Sequence, residues 1–244
     1  MPLSVLTLNI EGDRHLETFI PEVATRNVDI VCLQEVFEAD LPEIAIRLGF
    51  FPSQYAFLGM SLMNTENQYH ISPRGPWGIA MFTSLAHADF QNIYYKGEGM
   101  LPEFTTPNSV DRGLLYTTVY GDDDQELPIA TTHFTWTGDG QPSPEQERDF
   151  ASLAEKVATL PPHVLCGDFN APRGRETFRK FETLYTDPLP AEVTTTLDKN
   201  LHYTGKDLQL VVDTAFYQEP LQVEVVEVIE GISDHKGINF LVHS

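Results

Sequence analysis

Cysteine is scarce: the chain has two in 244 residues, Cys32 and Cys166, each inside an apolar stretch (Val31-Cys32-Leu33 and Leu165-Cys166-Gly167). Two thiols cannot supply a disulfide framework at this length, and both are predicted to be reduced and buried. Long apolar runs are also missing. None approaches the ~20 residues needed to span a bilayer, so no membrane span is expected. The opening Met1-Pro2-Leu3-Ser4 has neither a basic region nor a small-residue cleavage site, which predicts a cytoplasmic location. Basic side chains are few, 15 Lys and Arg against 36 Asp and Glu, for a formal net charge of −21. Such a surface repels polyanions and disfavours a broad basic face that slides along nucleic acid. It does not exclude a nuclease, because a bound metal or a local basic patch offsets the global field. Repeats, low-complexity tracts and linkers are absent as well. One domain over residues 1–244 is expected, and a monomer.

What is present is an ordinary globular composition, 41% hydrophobic and 21% charged. Val5 to Ile10 and Asp29 to Leu33 read as strands, with a helix between them from Leu16 to Arg26 or from a later start near Pro21. Leu41 to Leu48 reads as a second helix stopped by Gly49. Residues 50–76 and 87–112 read as irregular, apart from a strand at Gly78 to Phe82. Gly113 to Tyr120 and Leu127 to Thr132 form a predicted hairpin about a turn at 121–124. Pro144 to Leu160 carries Phe150, Leu153, Ala154 and Val157 at helical spacing, with Ser143 placed to cap it. Strands follow at His163 to Cys166, Leu208 to Phe216, Leu221 to Ile229 and Ile238 to Val242, with a short helix at Glu176 to Leu184. Many strands with interspersed helices predict an α/β fold, with two sheets.

Four segments share one feature: a buried-type strand ends and polar groups follow at once. They are Leu8-Asn9-Ile10-Glu11, Leu33-Gln34-Glu35-Val36, Gly167-Asp168-Phe169-Asn170 and Ser233-Asp234-His235. Singly, each has a plain reading: a solvated Glu, turn-forming Asp and Asn, a loop pair. Together they gather carboxylates, amides and an imidazole at strand ends, the oxygen-rich donor set that a hard divalent cation takes.

In that order and across residues 3 to 243, LNIEG, LQEV, GDFN and SDH resemble the endonuclease/exonuclease/phosphatase superfamily. Gly78-Ile79-Ala80 also resembles that family's Gly-x-Ala strand. The resemblance implies a four-layer α/β sandwich, two mixed sheets face to face with helices outside. It implies a phosphoesterase using Mg²⁺ or Mn²⁺. Glu35 matches the principal metal ligand, with Glu11 near the metal and Asp234 in the terminal pair. Asn9 matches an amide that contacts the scissile phosphate or orients catalytic groups. Asp168 matches the residue that orients or deprotonates the attacking water, Asn170 its phosphate- and metal-contacting companion, and His133 a phosphate contact. His235 matches the donor to a phosphate oxygen, supported by Asp213, whose other reading is a strand carboxylate satisfied by backbone. The sequence departs from the pattern at Val211, where a basic residue is common, and at Leu197, where Trp or Tyr is common.

The substrate is less defined. The stretch around Asp111-Arg112-Gly113 is most similar to the tyrosyl-DNA phosphodiesterase branch, which implies single-stranded DNA or RNA ends. Arg112 meets a substrate phosphate on that reading, or else forms a surface ion pair. Trp77, Tyr94, Tyr95, Phe104 and Trp136 fall in predicted loops, to stack on a base or to anchor those loops. A phosphoesterase of a small metabolite or lipid head group is the alternative. A non-catalytic binding protein on the same fold would show broken motifs, and these are intact.

Overall fold

The computed structural model describes residues 1–67, 69–122, 125–202 and 204–243. In chain order these form β1 (Leu3–Asn9), α1 (Leu16–Ala24), β2 (Ile30–Phe37), α2 (Leu41–Leu48), β3 (Tyr55–Met63), β4 (Gly75–Thr83), β5 (Ala86–His87) and β6 (Gln91–Lys96). There follow β7 (Arg112–Tyr120), β8 (Glu126–His133), α3 (Pro144–Val157), β9 (Val164–Asp168), α4 (Glu176–Glu182), β10 (Asp213–Tyr217), β11 (Gln222–Ile229) and β12 (Gly237–His243).

The strands make two mixed sheets. The first runs β11-β12-β1-β2-β4-β3; the second runs β10-β9-β8-β7, with β5 and β6 both paired to β7. Each contains one parallel pair, β1 with β2 and β8 with β9. The strands are apolar on both faces because both faces are covered. Val5, Cys32 and Met81 of the first sheet share one core with Leu115, Ile129, Cys166 and Ala215 of the second. Their neighbours Leu6, Val31, Leu33 and Phe82 point the other way, onto Phe19, Ile20 and Val23 of α1 and Ile44 of α2. On the far side, Leu165 and Phe216 meet Leu153 of α3 and Phe178 and Phe181 of α4. Phe169 packs edge-on to Phe181 and Phe216, at 4.9 and 4.8 Å between ring centroids. The result is a four-layer α/β sandwich. No described helix is long and apolar enough to cross a membrane.

Local signals explain the start of α3 and the end of α2. Ser143 Oγ accepts a hydrogen bond from Gln146 N at 3.1 Å, and Pro144 follows where its missing N–H costs nothing. α2 stops at Gly49, whose φ of 87° suits only a residue without a side chain. α1 starts at Leu16 and keeps Pro21 inside, because Phe19, Ile20 and Val23 bury against the sheet.

Several expectations fail. Residues 55–63, 86–87 and 91–96 are strands, whereas 50–76 and 87–112 read as irregular. Glycine and polar side chains inside β3 and β6 dilute the alternation; pairing with β4 and β7 decides their structure. Residues 208–212 lie outside the sheet, and β10 begins at Asp213. The β7–β8 hairpin forms, with Tyr120 opposite Glu126. Of its expected turn, Asp123 and Asp124 lie outside the described residues. Both cysteines are buried free thiols.

Gly167 has a φ of 140°, and a Cβ there would lie 2.0 Å from the carbonyl oxygen of Thr132 on the neighbouring strand. Gly167→Ala is therefore expected to cost ~3 kcal/mol or more, and Ser143→Ala ~1 kcal/mol. Urea unfolding of the two variants measures the difference; equal midpoints would contradict the close approach of β8 and β9.

Candidate functional site

Strand ends converge on one rim of the sandwich. In the second sheet His133, Asp168 and Asp213 stand directly opposite one another on β8, β9 and β10. They therefore share a face, the inner one that also carries Cys166 and Ala215. In the first sheet Asn9 ends β1 on the inner face, opposite Gln34 of β2.

Strict alternation would turn Glu35 outward toward the helices. It does not, because β2 bulges between Gln34 and Val36, and Glu35 is the extra residue, at a φ of 60°. The bulge re-aims the carboxylate to the rim, at the expense of a left-handed backbone that a non-glycine residue seldom adopts. Glu11 and Asn170 also have positive φ, 49° and 48°. Three such residues at one rim mark a place where structure is bent to serve geometry.

Hydrogen bonds tie the pieces together. Asn9 Nδ2 donates to Glu35 Oε1 and to Asp168 Oδ2, 3.1 Å each, while its Oδ1 accepts from Glu11 N. The amide is thus fully used on neighbouring groups. Asp168 Oδ1 accepts from Asn170 N at 2.8 Å. His133 Nε2 lies 3.5 Å and His235 Nε2 3.9 Å from Asp168 Oδ2. His235 Nδ1 sits against both Asp213 oxygens at 2.9 and 3.1 Å, so Asp213 is spent on the imidazole and not on backbone. Asn170 Nδ2 donates to Phe134 O. Asp234 is buried beside Ser233, whose hydroxyl donates to it.

These surroundings set the charges. Burial, with help from the charges of Asp168 and Glu11, pushes the Glu35 carboxyl up to about 7 against the pull of Asn9 and His235. Burial, with Asp213, lifts Asp168 to about 6. Burial, with Glu11 and Glu35, lifts Asp234 to about 7. Burial also disfavours the charged His235, but Asp213, Asp168 and Asp234 outweigh it and hold this imidazole well above its ordinary range. His133 goes the other way: burial, then the charges of Arg112 and His235, push it well below. The two imidazoles are thus pushed in opposite directions.

The rim opens into a cleft of about 550 Å³ lined by Glu11, Glu35, His133, Asp168, Asn170, Asp234 and His235, while Asn9 and Asp213 stand behind it. Arg112 lines it too, but its guanidinium is 1% exposed and donates to the carbonyls of His133 and Pro107, which rules out a surface ion pair. Trp77 is a buried residue of β4 and Tyr94 and Tyr95 belong to β6, so these three are not loop residues. Phe104 and Trp136 do line the cleft from loops, Trp136 half-buried.

A family model described as the endonuclease/exonuclease/phosphatase family matches residues 6–235. The chain belongs to this family. Members of the family hydrolyse phosphoester bonds and generally use divalent metals. No curated protein matches the chain by sequence. Among solved structures, a family protein from Bacteroides thetaiotaomicron superposes with a TM-score of 0.71 at 15% identity, covering 100% of this chain and 98% of that one. A mannosyl-6-phosphatase from the same organism gives 0.69 at 13%, covering 99% and 100%. Sphingomyelinase C from Streptomyces griseocarneus gives 0.65 at 14%, covering 99% of each. At these identities the likeness shows the fold.

Two residues of the rim escaped the sequence reading. Thr196 Oγ1 accepts from Val212 N and Asp213 N, and Lys236 N donates to Thr196 O, so one loop fixes Asp213 relative to His235. A lone Thr inside Thr194-Thr195-Thr196 gives no signal for this. His15 packs its Nε2 3.1 Å from Glu11 Oε2. Its position four residues after Glu11 was a readable clue. Leu197, where an aromatic is common in the family pattern, is buried and bridges to His235.

The Asp213–His235 contact predicts that His235 keeps its proton to higher pH than an ordinary imidazole and that Asp213→Asn brings its titration down. Long-range ¹H–¹⁵N NMR of the ring nitrogens follows it. An unchanged titration in Asp213→Asn would mean that the pair does not set the charge.

Proposed function

We propose that the protein is a divalent-metal-dependent phosphoesterase, one catalytic domain over residues 1–244, that hydrolyses a phosphodiester or phosphomonoester. The observation that carries this reading is the convergence on Asp168 Oδ2 of Asn9 Nδ2 at 3.1 Å, His133 Nε2 at 3.5 Å and His235 Nε2 at 3.9 Å. A carboxylate and two imidazoles pushed in opposite directions thus face one point.

The donor set suits a hard cation. Glu35, Glu11 and Asp234 bring oxygen ligands, and Glu35 and Asp234 are each pushed up to about 7 by burial and by neighbouring carboxylates, Glu11 among them, a conflict that a cation relieves. Mg²⁺ or Mn²⁺ bound there supplies Lewis-acid neutralisation of the phosphate charge, an effect of several kcal/mol.

The chain's own groups do the rest. Asp168, raised to about 6, orients a water molecule and takes its proton. Asn9, its amide spent on Glu35 and Asp168, orients both carboxylates. His235 donates from Nε2 to a phosphate oxygen as charge builds there, and Asp213 keeps that proton in place. Asn170 and the neutral His133 flank the phosphate. Arg112, tied to two carbonyls, adds a fixed positive charge behind it.

Substrate chemistry follows from the cleft's charge. Its described lining has three Lys and Arg (Arg112, Arg175, Lys206) against six carboxylates (Glu11, Glu35, Asp139, Asp168, Asp207, Asp234). This favours a short or singly phosphorylated ester: the end of a single strand of DNA or RNA, as in a tyrosyl-DNA phosphodiesterase, or a small metabolite or lipid head-group ester. Trp136 and Phe104 give the end of a strand a surface on which to stack.

The test is hydrolysis of a 5′-phosphotyrosyl oligonucleotide, an abasic duplex, plain single-stranded DNA, RNA and bis-p-nitrophenyl phosphate with Mg²⁺ or Mn²⁺. Asp168→Ala and His235→Ala are expected to lower kcat ~10²–10⁴-fold and chelator to abolish turnover. Turnover that survives both variants would sink the reading.

A second prediction concerns stability. Glu35, Asp168 and Asp234 have folded-state values raised above their unfolded ones, so the stability that protonation contributes is present below about pH 4 and lost as pH rises through 6 to 7. Chelated protein is therefore expected to lose Tm between pH 5 and 8, and added Mg²⁺ or Mn²⁺ to raise Tm more at pH 8 than at pH 5.5. Thermal unfolding at both pH values checks the sign; a larger gain at pH 5.5 would contradict it.

A further inference from the structure

Residues 11–15 form the turn between β1 and α1, and they carry a buried imidazole that none of the roles above uses. Single ligand atoms from Glu11, His15 and Asp234 all lie within 4.8 Å of one another. An octahedral ion with bonds of ~2.1 Å places its ligands ~3.0 Å apart when adjacent and ~4.2 Å apart when opposite, so three atoms at this spacing can share one ion after small adjustments. We propose that His15 is a ligand of the bound cation together with Glu11 and Asp234, and that its nitrogen shifts this site's preference from Mg²⁺ toward Mn²⁺. The inference rests on the metal-dependent reading of the same rim and adds to it the ligand and the metal it selects.

The placement of His15 supports a ligand role over a structural one. It occupies the N-cap position of α1, where a side chain that accepts from the helix N–H groups is favoured, yet its side chain makes no capping hydrogen bond. The helix start takes only its main-chain carbonyl, which accepts from Thr18 N and Phe19 N. The ring turns instead toward Glu11 and Asp234 and is 9% exposed. Glu11 is divided between two neighbours: Oε1 holds Arg14 at 2.6 Å, and Oε2 faces His15 Nε2 at 3.1 Å. Arg14 also donates to Tyr69 O and anchors that side of the carboxylate. Oε2 is thus the oxygen left for an ion, and a nitrogen donor stands 3.1 Å from it. The ring also lies close to the Asp234 carboxylate, a ligand atom of each being within 4.8 Å of the other. As a ligand, His15 carries its proton on Nδ1, gives up the contact with Glu11, and offers the Nε2 lone pair to the ion.

The chemistry of the donor sets the preference. Mg²⁺ takes oxygen ligands and keeps its water, so an imidazole adds little to its binding. Mn²⁺ also suits carboxylates but stands at the start of the transition series whose later members imidazole suits, so a nitrogen donor favours it over Mg²⁺. Two carboxylates with one imidazole make a mixed set that an all-oxygen rim would not.

The test uses the metal-free full chain as wild type, His15→Gln, His15→Asn and Glu35→Gln. Mn²⁺ binding is followed by EPR titration, Mg²⁺ by competition with Mn²⁺, and pulsed EPR reads ¹⁴N coupling to the bound Mn²⁺. The wild type is expected to bind Mn²⁺ more tightly than Mg²⁺ and to show a directly coordinated imidazole nitrogen. Both His15 variants are expected to weaken Mn²⁺ about tenfold or more, to lose that coupling and to leave Mg²⁺ affinity unchanged. Absence of the coupling in the wild type overturns the proposal with no variant needed. So does its persistence in the His15 variants, or an equal loss of both ions, which would make His15 only a brace for Glu11. If the wild type binds neither ion, the metal-dependent reading itself falls. If Glu35→Gln loses both ions while the His15 variants behave as wild type, that reading stands and only the His15 assignment falls.

Discussion

The amide of Asn9 holds the two halves of the rim together. Its one nitrogen has two hydrogens, and they go to carboxylates on different sheets, Glu35 of the first and Asp168 of the second. Buried carboxylates need partners, and two of them brought close also repel. The shared donor answers both demands and fixes how far apart the sheets stand at this point. One residue deeper in β2, Gln34 repeats the device: its Nε2 donates to Thr7 Oγ1 of β1 at 3.1 Å and to Thr131 Oγ1 of β8 at 3.0 Å. Packing of the central core and placement of the reactive groups are therefore a single problem. A change that shifts one sheet against the other reaches the site through these amides before it exposes any core.

The two rim imidazoles differ by circumstance, not by type. His235 has Asp213 on one nitrogen and Asp168 and Asp234 nearby, so its charge survives burial. His133 has the Arg112 charge and His235 beside it, packs edge-on to Trp77, and has no partner for Nδ1 among the described residues. Environments that push like groups apart are how one site presents an acid and a non-acid at the same pH.

Much of this was legible in the sequence, for identifiable reasons. Strand-end motifs are short and local, so Asn9, Glu35, Asp168, Asn170 and the Asp234-His235 pair could be read from their positions after apolar runs. The partnership of Asp213 with His235 spans 22 residues and no spacing announces it; only the resemblance to a family pattern supplied it. The bulge that turns Glu35 inward was invisible, because alternation alone sends that side chain the other way. The strands at 55–63 and 91–96 were missed because pairing, not propensity, makes them strands. Arg112 stood between two readings until its burial removed the exposed one.

The row formed by His133, Asp168 and Asp213 has a consequence for how such a protein can change. One register places all three, since the side-chain period of a strand is two residues and a slip of one would turn the whole row away. In the proposed function, this half of the reactive centre is thus placed as a block by the alignment of β8, β9 and β10. The loops at 97–111, 134–142, 197–202 and 204–210 that wall the cleft carry no part of that alignment. They are free to lengthen, shorten or exchange side chains while the block persists. In the proposed function, chemistry and choice of substrate are written in separate parts of the chain, and a lineage can revise the second without reopening the first.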